Sequence, residues 1–108
     1  KDAFSIDNTT IAIVATDLEL SKVELKRISV AAHDGMSRAI LPSHTPYDGD
    51  LIFAASTGRK KIKIEPSDIY NIGNAAAICL SRAIARGVYE AKSENNDLLP
   101  TWQDIEKL

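Results

Sequence analysis

Two short apolar runs, Ile11-Ala12-Ile13-Val14-Ala15-Thr16 and Leu51-Ile52-Phe53-Ala54-Ala55, flank a segment of helical spacing, and this order limits what the chain can fold into. Each run reads as a strand, and the first, apolar nearly throughout from Thr10 to Thr16, suits one covered on both faces. Between them, Ser21 and Glu24 make a capping box, and Leu20 is placed to pack on Leu25 as a hydrophobic staple. Leu25, Ile28, Ala32, Met36 and Ala39 then recur on one side of a helix, with Lys26, Arg27, Asp34 and Arg38 on the other. By periodicity alone, strand, helix and strand indicate a parallel βαβ unit. If the strands are neighbours, whatever stands at their starts converges.

Pro42 ends the first helix, and the turn-forming stretch from Ser43 to Gly49 leads into the second strand. Thr57-Gly58 reads as the turn that closes that strand, and Lys61 to Ile64 as a short strand or extended segment. A second helix opens at Pro66-Ser67 and runs to about Lys92, with Ile69, Ile72, Ala76, Leu80, Ala83 and Val88 inside. Gly73 and Gly87 are placed to let it approach a neighbour closely. The stretch from Ser93 to Asp97 is a solvated turn, after which Thr101 can cap a short helix that docks Trp102 and Ile105.

Composition excludes several classes of function. A formal charge of -2 gives no electrostatic reason to expect nucleic acid or an anionic membrane, and Arg59-Lys60-Lys61 with Lys63 reads as a solvated cluster. No apolar run approaches the roughly 20 residues of a membrane span, so a cytoplasmic location is expected. The single cysteine, Cys79, permits no internal disulfide and reads as a buried small hydrophobe. With 108 residues and no initiating Met, the chain reads as part of a longer product.

The chemistry sits at the two strand starts. Asn8-Thr9-Thr10 puts a hydroxyl at the mouth of the first strand, and Asp48-Gly49-Asp50 puts two carboxylates at the mouth of the second. Taken alone, the first triplet is only a polar start to a strand, and the second a turn or metal loop with too few oxygen ligands for a metal. In extended backbone, Asp48 and Asp50 would share a face, so repulsion suggests that one binds Thr9 while the other shares a proton or a basic partner. Thr10 is the competing hydroxyl. His44 could be mistaken for a base, and His33, near Ser29 and Ser37 at helical spacing, reads as surface.

The block NTTIAIVATD, followed after the helix by HTPYDGDLIFAASTG, resembles the C-terminal part of a self-processing hydrolase family. Its members are L-aminopeptidases/D-esterases, β-peptidyl aminopeptidases and 6-aminohexanoate-oligomer (nylon oligomer) hydrolases. The Asn-Thr-Thr start and paired aspartates look nearest the nylon-oligomer branch; the β-peptidyl branch usually carries Ser as nucleophile. The resemblance covers residues 8–58 well and the rest loosely. It implies an α+β fold, part of a four-layer αββα sandwich like that of N-terminal nucleophile hydrolases, with these strands in the two central sheets. It also implies a cut between Asn8 and Thr9, leaving residues 1–8 as a tail, 9–92 as the small-subunit core and 93–108 as a C-terminal tail.

On that resemblance Thr9 is the nucleophile, Asp48 and Asp50 orient it or relay its proton, and His44 is structural. A larger N-terminal subunit from the same precursor supplies an Asn and a Lys for the oxyanion, the two-chain units form an oligomer, and the substrate is a small peptide or amide. Neither cofactor nor metal is expected. Glutamate N-acetyltransferase, of the same fold, is the rival, but there Asp-Gly-Asp is usually followed by a polar run where this chain has Leu51-Ile52-Phe53-Ala54. A homologue that is never cut and has no activity is the other alternative.

Overall fold

Ser21 accepts a hydrogen bond from the Glu24 amide at 3.2 Å, and the Glu24 carboxylate accepts the Ser21 amide at 3.2 Å, so helix α1 begins where its capping box says. The computed structural model describes residues 8–108; the expected tail over residues 1–7 lies outside the described residues. The element order is β1 (Ile11–Leu18), α1 (Lys22–Ala39), β2 (Leu51–Lys60), α2 (Pro66–Glu90) and α3 (Trp102–Glu106). This is an α+β arrangement around a small two-stranded sheet.

β1 and β2 pair in parallel, from Ile11 opposite Leu51 to Thr16 opposite Ser56. The βαβ reading of the periodicity therefore describes the chain, and the strands lie side by side in one sheet instead of being divided between two. The ladder then shifts register, since Leu18 meets Lys60. Thr57-Gly58 is thus not the closing turn. It lies inside β2 at this irregularity, where Gly58 takes φ 65°, a conformation open to a residue without Cβ. The Ser56 hydroxyl pins the irregularity, donating to the Leu18 carbonyl and accepting the Gly58 amide at 3.2 Å. Lys61 to Ile64 forms no strand.

The helices cover one face of the sheet. Ala32, Met36, Ile52 and Leu80 form the buried core, with Ala12, Val14, Ile40, Ala76 and Ile84 packed against it. Met36 is fully enclosed, so its truncation to Ala would cost about 2–5 kcal/mol. At the α1–α2 crossing, a Cβ on Gly35 would stand 2.0 Å from the Ala77 carbonyl oxygen, so only glycine allows this approach. Gly73 faces Ala31 across the same crossing, whereas Gly87 has open space around it.

The opposite face of the sheet is bare, contrary to the expectation of a first strand covered on both sides. β1 alternates exposed and half-buried residues, and Ile11, Ile13 and Phe53 are each more than half exposed. The apolar run is real, but these residues bring helices to one side only. Cys79 is also exposed, contrary to expectation; it lines an apolar cleft of about 400 Å³ with Val14, Ile72, Ala76 and Leu80. α2 ends at Glu90, with Val88 exposed, and α3 leaves Trp102 and Ile105 half exposed. The basic cluster is solvated and paired, Lys60 with Asp17, Lys61 with Glu19 and Lys63 with Glu65. Among the described residues, no helix is long and apolar enough to cross a membrane.

Candidate active site

Parallel pairing brings the two strand starts to the same end of the sheet. Asn8 bridges to Asp48 just ahead of the ladder, the Leu51 amide donates to the Thr10 carbonyl at 3.1 Å, and the Gly49 amide donates to the Asn8 carbonyl at 2.9 Å. Asn8, Thr9, Thr10, Asp48 and Asp50 thereby line one cleft of about 300 Å³, with Ile40 and Pro42 as its apolar wall. All the residues singled out from the sequence as catalytic or cut are gathered there.

Thr9 is exposed and lies across Gly49: a Cβ at position 49 would be 2.7 Å from the Thr9 hydroxyl oxygen and 3.5 Å from its methyl. The glycine thus makes room for the hydroxyl while its N–H holds the carbonyl of the preceding residue. An amide aimed at a carbonyl oxygen is the kind of donor that stabilises a developing oxyanion. The sequence did not single out Gly49, whose amide meets the Asn8 carbonyl. The signal was the middle residue of Asp-Gly-Asp, readable only once the register of the two strands is known.

The aspartates have separate partners. Asp50 Oδ1 accepts the Thr10 amide at 2.8 Å and Oδ2 accepts the His44 amide at 2.9 Å, with the carboxylate side chain only 5% exposed. The His44 amide above all, then the Thr10 amide and the neighbouring histidines, hold the Asp50 carboxyl below its ordinary value, while burial opposes them. Asp50 is therefore ionised at neutral pH and shares no proton. Asp48 Oδ2 accepts the Thr45 amide at 3.0 Å and the Thr45 hydroxyl at 2.7 Å, tying down the loop. Of the expected division, in which one carboxylate binds Thr9 and the other shares a proton or a basic partner, the basic partner is present, His44 Nδ1 lying 3.9 Å from Asp50 Oδ2, while the hydrogen bonds go elsewhere: Asp50 fixes the backbone next to Thr9, and Asp48 fixes the loop that carries Gly49.

His44 sits in the loop with φ 55°, and its amide donates to Asp50 Oδ2 at 2.9 Å. His33 departs from expectation. It is half-buried, and its Nδ1 lies 3.0 Å from His44 Nε2. The partners are 11 residues apart and meet only because the loop folds back on α1. Among the described residues no group of three or more His, Cys, Asp or Glu side chains could hold a metal ion.

A hydroxyl at a strand mouth, a glycine amide on the preceding carbonyl and an adjoining ionised aspartate thus stand together at one end of the sheet. Residues 1–97 match Peptidase family S58, and the chain belongs to that family. An uncharacterized aminopeptidase of Mycobacterium tuberculosis (strain H37Rv) is 40% identical to it over 91% of this chain and 31% of the relative. One from Mycobacterium leprae is 40% identical over 86% of this chain and 28% of its own length. A 6-aminohexanoate-oligomer endohydrolase of Paenarthrobacter ureafaciens is 39% identical, over 55% of this chain and 17% of that enzyme. The likeness to the nylon-oligomer branch is thus the more distant one. The chain spans less than a third of the length of these relatives.

Proposed function

We propose that this chain is the nucleophile-bearing part of a self-processing amide hydrolase, with Thr9 as the nucleophile. The observation that carries the reading is the placement of the Thr9 hydroxyl over Gly49 while the Gly49 amide holds the Asn8 carbonyl. In the first reaction Thr9 Oγ attacks the Asn8 carbonyl carbon. The carbonyl oxygen takes up negative charge facing the Gly49 N–H, the C–N bond breaks, and the proton released by Oγ ends on the Thr9 nitrogen, which becomes a free amine. Water then resolves the Asn8 ester, leaving a new carboxylate and Thr9 as a chain terminus.

Turnover uses the same hydroxyl. An α-amine has an ordinary pKa of roughly 7.7–8.0, so near neutrality part of it is unprotonated and can take the Oγ proton directly or through one water. The hydroxyl attacks a substrate amide, the amine of the leaving group departs protonated, and water hydrolyses the acyl-Thr9 ester. Asp50 and Asp48 hold the strand and loop on either side. No metal or cofactor enters these steps.

The activities named for the relatives, aminopeptidase and oligomer endohydrolase, support hydrolysis over acetyl transfer, as does Ile52, which is buried in the core where the transferases usually carry a polar run. The larger part of the same protein would cover the bare face of the sheet to complete a four-layer sandwich and bring the remaining site residues. Short peptides and amides are the substrates proposed. The test is the intact mass of the full-length protein after expression: a species beginning at Thr9, absent from Thr9→Ala, supports the reading, and normal cutting in Thr9→Ala defeats it.

A further inference from the structure

His33 stands on the flank of α1 that meets the loop before β2. Its ring lies 4.5 Å from that of His44, tilted by 59°, with Nδ1 at 3.0 Å from His44 Nε2. One imidazole donates in this contact and the other accepts. On the far side of the His44 ring, Nδ1 is 3.9 Å from Asp50 Oδ2. That is too long for a hydrogen bond, but the carboxylate favours a proton on the nitrogen facing it. His44 Nε2 is then the acceptor, and His33 Nδ1 the donor.

The His44 backbone is in the left-handed region, which a residue with a side chain seldom adopts, and this conformation accompanies its amide on Asp50 Oδ2 at 2.9 Å. The other oxygen of Asp50 takes the Thr10 amide at 2.8 Å. A continuous chain of contacts therefore runs from α1 through His33, His44 and Asp50 to the residue beside Thr9. A loop in an uncommon backbone conformation needs fixing from outside, and His33 is the contact from α1 that reaches the His44 ring.

We propose that His33 is a positioning residue for Thr9: by holding the His44 ring it keeps Asp50 on the Thr10 amide, and so sets where the Thr9 hydroxyl stands over Gly49. The proposal rests on the reading of Thr9 as nucleophile. His33 touches no reacting atom, and its effect passes through the loop. The link is also sensitive to acid. If both rings are protonated, N–H faces N–H and like charges meet. His44 and Asp50 face His33 from the loop, and Lys26 and Asp34 from α1 itself. Burial, followed by His44, lowers the His33 pKa, with Lys26 acting the same way and Asp50 and Asp34 opposing, so His33 is neutral at neutral pH and brings a charge against the His44 ring only on acidification.

The test uses the full-length protein as parent, His33→Ala and His33→Asn, the last keeping a hydrogen-bonding group near the place of Nδ1 without a titrating ring. Amide exchange at Thr10 and the rate of amide hydrolysis are measured against pH. His33→Ala is expected to speed Thr10 exchange and to lower kcat by about ten- to a hundredfold with KM little changed. His33→Asn should restore both at neutral pH and weaken the fall of rate on the acid side. Thr10 exchange, kcat and pH profile in His33→Ala within about twofold of parent would overturn the proposal. Should His33→Ala not fold, His33→Asn decides by its pH profile, which overturns the proposal if it matches the parent's. If the parent itself hydrolyses nothing and is never cut, the nucleophile reading fails, and Thr10 exchange alone then carries or overturns the His33 link.

Discussion

The Thr9 hydroxyl occupies the space where Gly49 would carry a side chain, 2.7 Å from the position of a β-carbon there. Gly49→Ala should therefore push Thr9 to another rotamer. Because Thr9 is exposed and can turn at small cost, thermal stability should change by less than about 1 kcal/mol. Displacing the reacting atom by about 1 Å is expected to slow self-cleavage and turnover about 100-fold. The pair of measurements is a melting curve and a time course of chain cutting; an alanine variant that cuts at the parental rate would show that the contact has no part in the chemistry.

Thr9→Ser and Thr9→Cys retain a nucleophilic atom, and partial self-cutting is expected of both, whereas Thr9→Ala should stay whole. Mass spectrometry of the purified protein reads all three. Thr10→Ala should still be cut, since Asp50 holds Thr10 by its backbone amide at 2.8 Å. An uncut Thr10→Ala beside a cut Thr9→Ala would move the nucleophile by one residue.

The two aspartates should respond differently to neutralisation. Asn at position 50 offers one acceptor oxygen where the carboxylate serves two amides, leaving either the part-buried Thr10 amide or the exposed His44 amide unmatched, at a cost of about 1 kcal/mol. Asn at position 48 keeps an oxygen for the Thr45 amide and hydroxyl, so its effect on stability should be smaller. Turnover should fall about 100-fold or more in Asp50→Asn. Equal melting temperatures and equal rates in the two variants would contradict this ordering.

Acid should weaken the fold in two steps. The folded-state pKa of His33 lies below its ordinary 6.5, so its stability contribution is whole above that value and is lost as pH falls through the folded pKa. Asp50, held below 3.8, contributes fully above that value and loses its contribution as pH drops further. Melting temperatures of the full-length protein across this range should show both declines, and His33→Asn should remove the upper one. A profile that rises on acidification would reverse the sign and refute the assignment.

Ile13 and Phe53 are register partners on the bare face, 63% and 58% exposed. An aspartate at either position should prevent the full-length protein from folding or cutting itself if the rest of the protein covers them. Soluble, fully processed Ile13→Asp would show that the face is free.

Much of the path to the site was legible in local sequence. The Ser21–Glu24 box and the i, i+4 apolar series placed α1, and the two apolar runs placed the strands, because each signal arises within a few residues. Asp48 and Asp50 could be singled out as residues at a strand mouth, but not their partners. His33 and His44 are joined by a loop with a left-handed residue, and Gly49 acts through a backbone N–H and a missing β-carbon, neither of which has a pattern in sequence. Thr57-Gly58 was misread because a glycine at an irregularity within a strand and one in a turn look alike until the partner strand is known. Cys79 was misjudged for a related reason. Helical spacing gave the side of α2 it occupies, but whether that side is covered is not set by the helix's own residues.

The bridge between Asn8 and Asp48 would outlive the peptide bond beside it. Breaking the Asn8–Thr9 bond does not break the Gly49 amide's hold on the Asn8 oxygen, so the fresh C-terminus stays seated where an incoming acyl group must lie. The protein would begin life as a complex with its own first product. Its activity would then appear with a lag set by the departure of that tail, and scission and the onset of catalysis would be two separately timed events.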